Sequence, residues 1–192
     1  MRIIAGSLRS RTLAAPRGLA TRPTSDRLRE TLFNVLAPRT AGASFLDLYA
    51  GSGAVGIEAL SRGAASVTFV ERAPAALKVL HTNLVKLGLA EGFRIHPGSV
   101  GALLRRAAPG PKPELYDVVF LDPPYDDAEE YASALGLLGG ASVGLLAPGA
   151  RVIAEHRRKE RLADSYGNLK RTRLLEQGDA ALSFYAVGSS PN

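Results

Sequence analysis

The 192-residue chain is 46% hydrophobic, carries a net charge of +6 and contains no cysteine. It is long enough for one α/β domain with a short appendage but not for two such domains, and the missing cysteines exclude disulfides and thiolate metal sites. Three scattered histidines, at positions 81, 96 and 156, give no metal-ligand spacing, and no apolar run reaches the length of a signal-peptide core or a membrane span. We expect a monomeric, metal-independent, cytoplasmic protein with no membrane partner.

The chain is predicted to begin with a β-hairpin over residues 1–20. Its turn falls at Gly6 and Ser7, and Arg9 and Arg11 follow in the second strand. Because successive side chains of a strand point to opposite faces, these two arginines share one face.

An amphipathic helix is predicted to follow over residues 27–36. Thr24 or Ser25 is its expected N-cap, and Pro38 and Gly42 are expected to close the arm that the helix forms with the hairpin. Its apolar stripe consists of Leu28, Leu32, Val35 and Leu36. Hairpin and helix together make residues 1–42 an N-terminal arm.

The rest of the sequence alternates apolar strands with helices. Strands are predicted over residues 45–50, 67–70, 93–96, 116–121, 150–155, 169–175 and 181–187. Helices are predicted over residues 57–62, 74–87, 100–107 and 127–138. This order predicts an α/β fold of the class I methyltransferase (Rossmann-like) type: a mostly parallel seven-stranded sheet with helices on both faces and one antiparallel strand inserted at its end. The domain would span residues 43–188, with 189–192 as a tail.

A glycine-rich turn, Gly51-Ser52-Gly53-Ala54-Val55-Gly56, directly follows the first strand of this domain. Past the next strand comes Glu71, twenty residues after Gly51, where a carboxylate can accept the ribose hydroxyls of a nucleoside cofactor. By its letters the turn matches G-x-G-x-x-G, which on its own would indicate NAD.

Asp47 helps to decide which of two cofactors the turn binds. It lies four residues before the first glycine, and a carboxylate there disfavours a pyrophosphate at the helix N-terminus. S-adenosylmethionine instead presents an ammonium and a sulfonium group, which a carboxylate attracts. Asp47 therefore favours the methyl donor over NAD, unless it is a buried acid that caps the turn backbone.

A second motif, Asp122-Pro123-Pro124-Tyr125, follows the apolar strand 116–121. It suits a planar amino group, because the Asp122 carboxylate and the Pro123 carbonyl can accept its hydrogen bonds while Tyr125 stacks on the ring. Both prolines have fixed φ and no N–H, so they stiffen the turn without adding a donor. The alternative is a plain strand-ending turn, since Asp and Pro are common there.

The positive charge is concentrated in two flanks. Residues 1–39 hold eight arginines against two acids, and residues 151–173 hold eight basic residues against three acids. Residues 40–150 hold eight basic residues against eleven acids. Phosphate-rich partners bind basic flanks through counterion release, although a solvated basic surface without a partner is the alternative.

Three runs of the chain resemble one family. They are RPTSDR with RETLFN at residues 22–27 and 29–34, DLYAGSG at 47–53, and DPPY at 122–125. With them, nearly the whole chain is similar to the bacterial small-subunit ribosomal RNA guanine-N2 methyltransferases of the RsmD type. The first run is the most specific to that family, since the other two recur across amino-methyltransferases.

The resemblance implies methyl transfer from S-adenosylmethionine to the N2 amine of a specific guanine in 16S rRNA, presented in an assembling small subunit. It implies that the arm contacts rRNA and lies over the donor, and that residues 122–125 receive a flipped-out guanine. The expected catalytic residues are Asp122, Pro123, Pro124 and Tyr125. The expected cofactor-binding residues are Asp47, Tyr49, Gly51, Ser52, Gly53, Gly56, Glu71, Arg72, Ser99 and Asp122. The expected RNA-binding residues are Arg2, Arg9, Arg11, Arg22, Arg27 and Arg29.

Other functions stay open at this point. Adenine-N6 methylation of DNA or another RNA uses the same four-residue motif, although no separate DNA-reading domain is visible. A non-catalytic rRNA-binding assembly factor could keep the fold without the chemistry, although the intact motifs argue against it. A nicotinamide oxidoreductase is the least favoured.

Overall fold

A computed structural model describes residues 1–15, 25–106, 114–124, 128–140 and 144–188. The chain forms two compact units, Met1–Ser99 and Val100–Asn192. Among the described residues, no helix is both long and apolar enough to cross a membrane. The expected division into an arm, a domain and a tail remains a prediction.

The first unit consists of helices packed on three parallel strands. In chain order its elements are α1 (Asp26–Thr40), β1 (Ser44–Leu48), α2 (Ala54–Ser61), β2 (Ser66–Glu71), α3 (Pro74–Lys86) and β3 (Phe93–Pro97). The strand order is β3-β2-β1, with Leu48 paired to Val70 and Glu71 paired to Pro97. β1 and β2 end at the same edge of the sheet, so the turn after β1 and the carboxylate of Glu71 come together.

The second unit combines a parallel pair of strands with antiparallel ones. Its elements are α4 (Val100–Arg106), β4 (Tyr116–Leu121), α5 (Ala128–Gly139), β5 (Leu146–Arg157), β6 (Ser165–Tyr166), β7 (Leu169–Gln177) and β8 (Ala180–Val187). β5 is parallel to β4, and β8 lies between β5 and β7, antiparallel to both. The predicted antiparallel insertion is therefore confirmed.

The described strands number eight, whereas seven were predicted. The additional strand, β6, has only two residues, which pair with the start of β7. So short a strand has no periodicity that a sequence pattern could reveal. β5 is also longer than predicted, because it includes Pro148 and Gly149, which were expected to form a turn before it.

The end of α5 touches the β6–β7 turn backbone to backbone. A Cβ atom at Gly139 would overlap the Tyr166 carbonyl, and one at Gly167 would overlap the carbonyl of Gly139. The Asn168 N–H donates to the Gly139 oxygen at 2.8 Å. Only residues without side chains allow this helix end to approach the turn so closely.

The predicted N-terminal hairpin is present but short: Arg2 and Thr12 form an antiparallel bridge, flanked by hydrogen bonds from the Ile3 N–H to the Arg11 carbonyl and from the Leu13 N–H to the Met1 carbonyl, both at 3.0 Å. The pairing does not continue past Ile3 because α2 binds the N–H groups that follow. The N–H groups of Ile4 and Ala5 donate to the Glu58 carboxylate at 2.8 and 3.0 Å, and the Leu8 N–H donates to the Ser61 hydroxyl at 3.0 Å. The segment thus pairs with itself over a few residues and is fixed to α2 beyond them.

α1 extends further than its predicted range. Ser25 is its N-cap, as predicted, and its side chain accepts from the Leu28 N–H at 3.1 Å. The helix continues through Pro38 to Thr40, past its predicted end at residue 36. Proline removes one hydrogen bond to the carbonyl four residues earlier, and Asn34 is exposed, so water can satisfy that carbonyl.

Candidate active site

The turn between β1 and α2 has the backbone shape of a ligand cradle. Tyr49, Gly51 and Gly53 have φ angles of 65°, 56° and 80°, in the left-handed region that side chains disfavour. Gly53 is the N-cap of α2 and has no side chain with which to cap it. The turn therefore presents main-chain groups, with little side-chain bulk, to whatever binds there.

Two glycines of this turn lie in close contact with neighbouring side chains. A Cβ atom at Gly53 would overlap the Leu80 side chain, and one at Gly56 would overlap the Phe69 ring and lie 2.8 Å from a methyl carbon of Val67. The first glycine lets α3 approach the turn, and the second lets α2 lie directly on β2. The G-x-G-x-x-G pattern thus reflects turn shape and helix–sheet packing.

Asp47 is a buried carboxylate at the start of α2. Its Oδ2 accepts from the Gly56 N–H at 2.9 Å, the capping role that was weighed as an alternative to cofactor binding. Burial raises the pKa of Asp47 to about 7; the hydrogen bond from Gly56 opposes this shift, and the nearby charge of Glu71 adds to it. A cation placed beside this buried carboxylate would favour its charged form.

Glu71 holds the turn together from the end of β2. Its Oε2 accepts from the Gly51 N–H at 2.8 Å, while its Oε1 accepts from the N–H groups of Arg72 and Ala73 at 2.8 and 2.7 Å. A carboxylate offers about four acceptor positions, so Oε2 retains capacity for a hydroxyl group. The Glu71 side chain thus both shapes the turn and can bind a sugar.

The remaining predicted cofactor residues of the first unit differ in exposure. Tyr49 is half-buried, Ser52 is buried, and Arg72 and Ser99 are exposed. The Ser52 carbonyl accepts from the side-chain amide of Asn83 at 2.9 Å. Ser99 is the last residue of the first unit and directly precedes α4.

In the second unit, Asp122 follows a strand whose last four residues are fully buried. Asp122 itself is half-buried, Pro123 is buried and Pro124 is exposed. A carboxylate that emerges directly from a rigid, buried strand has its position fixed by the core. Tyr125, the predicted stacking residue, lies outside the described residues.

Four of the predicted RNA-binding arginines are on the surface of the first unit: Arg2, Arg9, Arg11 and Arg27. Arg2 lies 3.6 Å from the carboxylate of Asp26, and Arg11 donates to the Lys86 carbonyl at 3.3 Å. Arg22 lies outside the described residues. The exposed arginines can therefore meet phosphate groups in this conformation.

Arg29 corrects the prediction that it binds RNA. Its side chain has no exposed surface and pairs with Asp26 at 2.9 Å and with the equally buried Glu58 at 3.7 Å. Glu58 also pairs with Arg62 at 2.7 Å. A guanidinium held inside the unit cannot contact a nucleic acid, so Arg29 has a structural role here.

Sequence reasoning missed two buried polar residues that organise this unit, Glu58 and Asn83. The signal was available for Asn83: the buried positions of α3 are Ala76, Leu80, Asn83 and Leu84, so an amide interrupts an apolar stripe. Glu58 likewise lies among buried apolar residues of α2. Polar residues at core positions indicate fixed hydrogen-bonding partners. Within the described ranges, no group of three or more His, Asp or Glu side chains is arranged to hold a metal ion.

The parallel strands, the glycine turn and the antiparallel insertion define a class I methyltransferase fold. A family model described as Conserved hypothetical protein 95 matches residues 1–186. The chain therefore belongs to this family, the RsmD family.

Individual relatives agree with this assignment. YlbH of Bacillus subtilis (strain 168) is 36% identical over 186 residues, 96% of this chain and 98% of that protein. Ribosomal RNA small subunit methyltransferase D of Escherichia coli (strain K12) is 42% identical over 125 residues, 65% of this chain and 60% of that protein. Among solved structures, yhhF from Escherichia coli matches with a TM-score of 0.82 and 37% identity, covering 96% of each chain.

Proposed function

We propose that this chain transfers a methyl group from S-adenosylmethionine to the exocyclic N2 amine of a specific guanine in 16S rRNA, within an assembling small ribosomal subunit. The observation that carries the proposal is a half-buried carboxylate, Asp122, at the end of the buried strand β4 and followed by two prolines. Family membership supports it, since the Escherichia coli relative is named Ribosomal RNA small subunit methyltransferase D.

The chemistry of the first unit fits the methyl donor. Asp47 has one hydrogen bond among the described residues, from Gly56, so its second oxygen can bind the donor's ammonium group. Glu71 can accept a ribose hydroxyl on Oε2, and the turn from Tyr49 through Gly53 can lie against the methionine part. Arg72 and Ser99 are the candidates for the adenine side. S-adenosylmethionine supplies the methyl group and a sulfur leaving group.

Asp122 would act on the base. An exocyclic amine is a weak nucleophile because its lone pair is delocalised into the ring, and acceptors on its N–H groups favour positive charge on nitrogen. Asp122 and the Pro123 carbonyl would provide these acceptors, with Tyr125 stacked on the ring. The N–C bond forms as the C–S bond breaks, the electron pair remains on sulfur, and the amine releases one proton.

Methyl incorporation from labelled S-adenosylmethionine tests the proposal. We expect labelling of under-methylated small subunits, compared with naked 16S rRNA in parallel, and N2-methylguanosine as the only labelled nucleoside. N6-methyladenosine would replace the guanine assignment with the adenine alternative. Tight binding to subunits without incorporation would instead favour the non-catalytic assembly factor.

The affinity for S-adenosylmethionine is expected to rise roughly tenfold between pH 5.5 and pH 7 and to level off above about pH 8. The raised pKa of Asp47, about 7, means that the carboxyl carries a proton below that pH. The proton must leave before Asp47 can attract the donor's ammonium, so binding strengthens as pH rises through 7.

Calorimetric titration across this range measures the effect. Asp47→Asn is the matched variant, because it keeps the shape of the side chain and cannot ionise. We expect it to bind the donor weakly at every pH. An unchanged pH slope in Asp47→Asn would remove Asp47 from the donor site.

A further inference from the structure

Asn83 joins two parts of the first unit through one buried amide. Its Oδ1 accepts from the Ala14 N–H at 2.8 Å, and its Nδ2 donates to the Ala14 carbonyl at 3.1 Å and to the Ser52 carbonyl at 2.9 Å. The side chain has no exposed surface. Both amide hydrogens and the amide oxygen are therefore used, and all of them bind main-chain atoms.

The N-terminal segment follows α3 toward this amide. Arg11 donates to the Lys86 carbonyl at 3.3 Å, and the Lys86 ammonium donates to the Thr12 carbonyl at 3.5 Å. Ala14 then reaches Asn83, one helical turn further toward the start of α3. The segment that carries Arg9 and Arg11 is thus bonded, through Ala14, to the same side chain that is bonded to the glycine turn at Ser52.

We infer that Asn83 is a positioning residue that makes the N-terminal arm and the glycine turn depend on each other. The inference rests on the proposed function, in which the arm meets RNA phosphates and the turn holds the methyl donor. A shift of Ala14 moves the amide, and the amide fixes the Ser52 carbonyl between Gly51 and Gly53. RNA held by the arm then tightens binding at the turn, and donor at the turn tightens RNA binding by the same factor.

A purely structural asparagine would behave differently. Loss of a buried hydrogen-bonded amide lowers the stability of the unit whatever its role, so stability cannot distinguish the two cases. Coupling between two ligands can, because it is a ratio of affinities measured on the same folded protein. The decisive quantity is the dissociation constant of S-adenosylhomocysteine without subunits, divided by its value with saturating unmodified small ribosomal subunits.

For the wild-type protein we expect this ratio to be at least about fivefold. Asn83→Leu keeps a similar volume but removes all three hydrogen bonds, and its ratio is expected to fall close to one. Of the three bonds to Asn83, Ala14→Pro removes the one from the Ala14 N–H to Oδ1 and leaves the donor to the Ser52 carbonyl in place. We expect it to lower the ratio while the affinity of the free protein for S-adenosylhomocysteine stays within about twofold.

Thr82→Val is the matched control on the same helix. Thr82 is exposed and its hydroxyl donates only to the Lys78 carbonyl at 2.8 Å, so its ratio is expected to equal that of the wild type. Two outcomes would overturn this inference and leave the proposed function intact. One is a ratio of one in the wild-type protein. The other is a ratio in both Asn83→Leu and Ala14→Pro that equals the wild-type ratio. A wild-type protein that binds neither S-adenosylhomocysteine nor subunits would overturn the proposed function as well.

Discussion

Asp122→Asn is expected to lower the rate constant of methyl transfer on the order of a hundredfold to a thousandfold, a loss comparable to that of one preorganised hydrogen-bonding group. The asparagine retains the shape of the side chain but replaces one acceptor oxygen with an NH₂ group that opposes the N–H of the base. Single-turnover incorporation into under-methylated small subunits measures the rate constant separately from binding.

Donor affinity is measured in the same preparations, because Asp122 is also a candidate contact for the cofactor. A loss confined to the rate constant assigns Asp122 to the base, whereas a parallel loss of donor affinity assigns it to the donor. Asp117→Asn is the control, since Asp117 lies on the same strand with its side chain exposed, and full activity is expected. Full turnover by folded Asp122→Asn would show that the motif is only a turn.

Glu58→Ala is expected to have the largest effect on stability, a loss of about 3–5 kcal/mol in the free energy of unfolding. Glu58 is the buried partner of Arg29, whose Nε and Nη1 have no hydrogen-bond acceptor among the described residues. Removing the carboxylate leaves the buried cation with Asp26 as its one remaining carboxylate and the Arg2 carbonyl as a neutral acceptor among the described residues. It also leaves the N–H groups of Ile4 and Ala5 without their acceptor.

Urea unfolding at neutral pH measures this loss. Glu30→Gln is the matched control, because Glu30 is an exposed carboxylate on α1, and a change within about 0.5 kcal/mol is expected. The double variant Arg29→Met with Glu58→Gln removes both buried charges and is expected to recover part of the stability. A Glu58→Ala protein as stable as the control would contradict the role of this buried pair.

Much of the fold could be predicted because local chemistry and tertiary structure agree. β4 is an apolar run bounded by turn residues, and its predicted range, 116–121, is the observed one. α3 ends where Gly88 permits a positive φ of 73°. The extent of the N-terminal hairpin could not be predicted, because the N–H groups of Ile4 and Ala5 donate to a carboxylate of α2 that lies more than 50 residues away in the sequence.

In the candidate site, too, some residues could be predicted from the sequence and others could not. The glycine turn and Glu71 follow directly from residue spacing, since a parallel sheet brings the ends of neighbouring strands together. Arg29 could not be assigned from spacing, because basic residues on an amphipathic helix are usually solvated and its buried partner is on another helix. Asn83 was open to prediction as a polar residue in an apolar stripe, but its two main-chain partners depend on the fold.

The contact between Gly139 and Gly167 limits how this part of the molecule can change by mutation. Neither glycine can gain a side chain alone, and no compensating substitution can make room, because the atoms that collide belong to the main chain. In a library of random variants, both positions are expected to be depleted of every substitution. Such intolerance would reflect the spacing of two backbones, and it would be a mistake to count these positions among the catalytic ones.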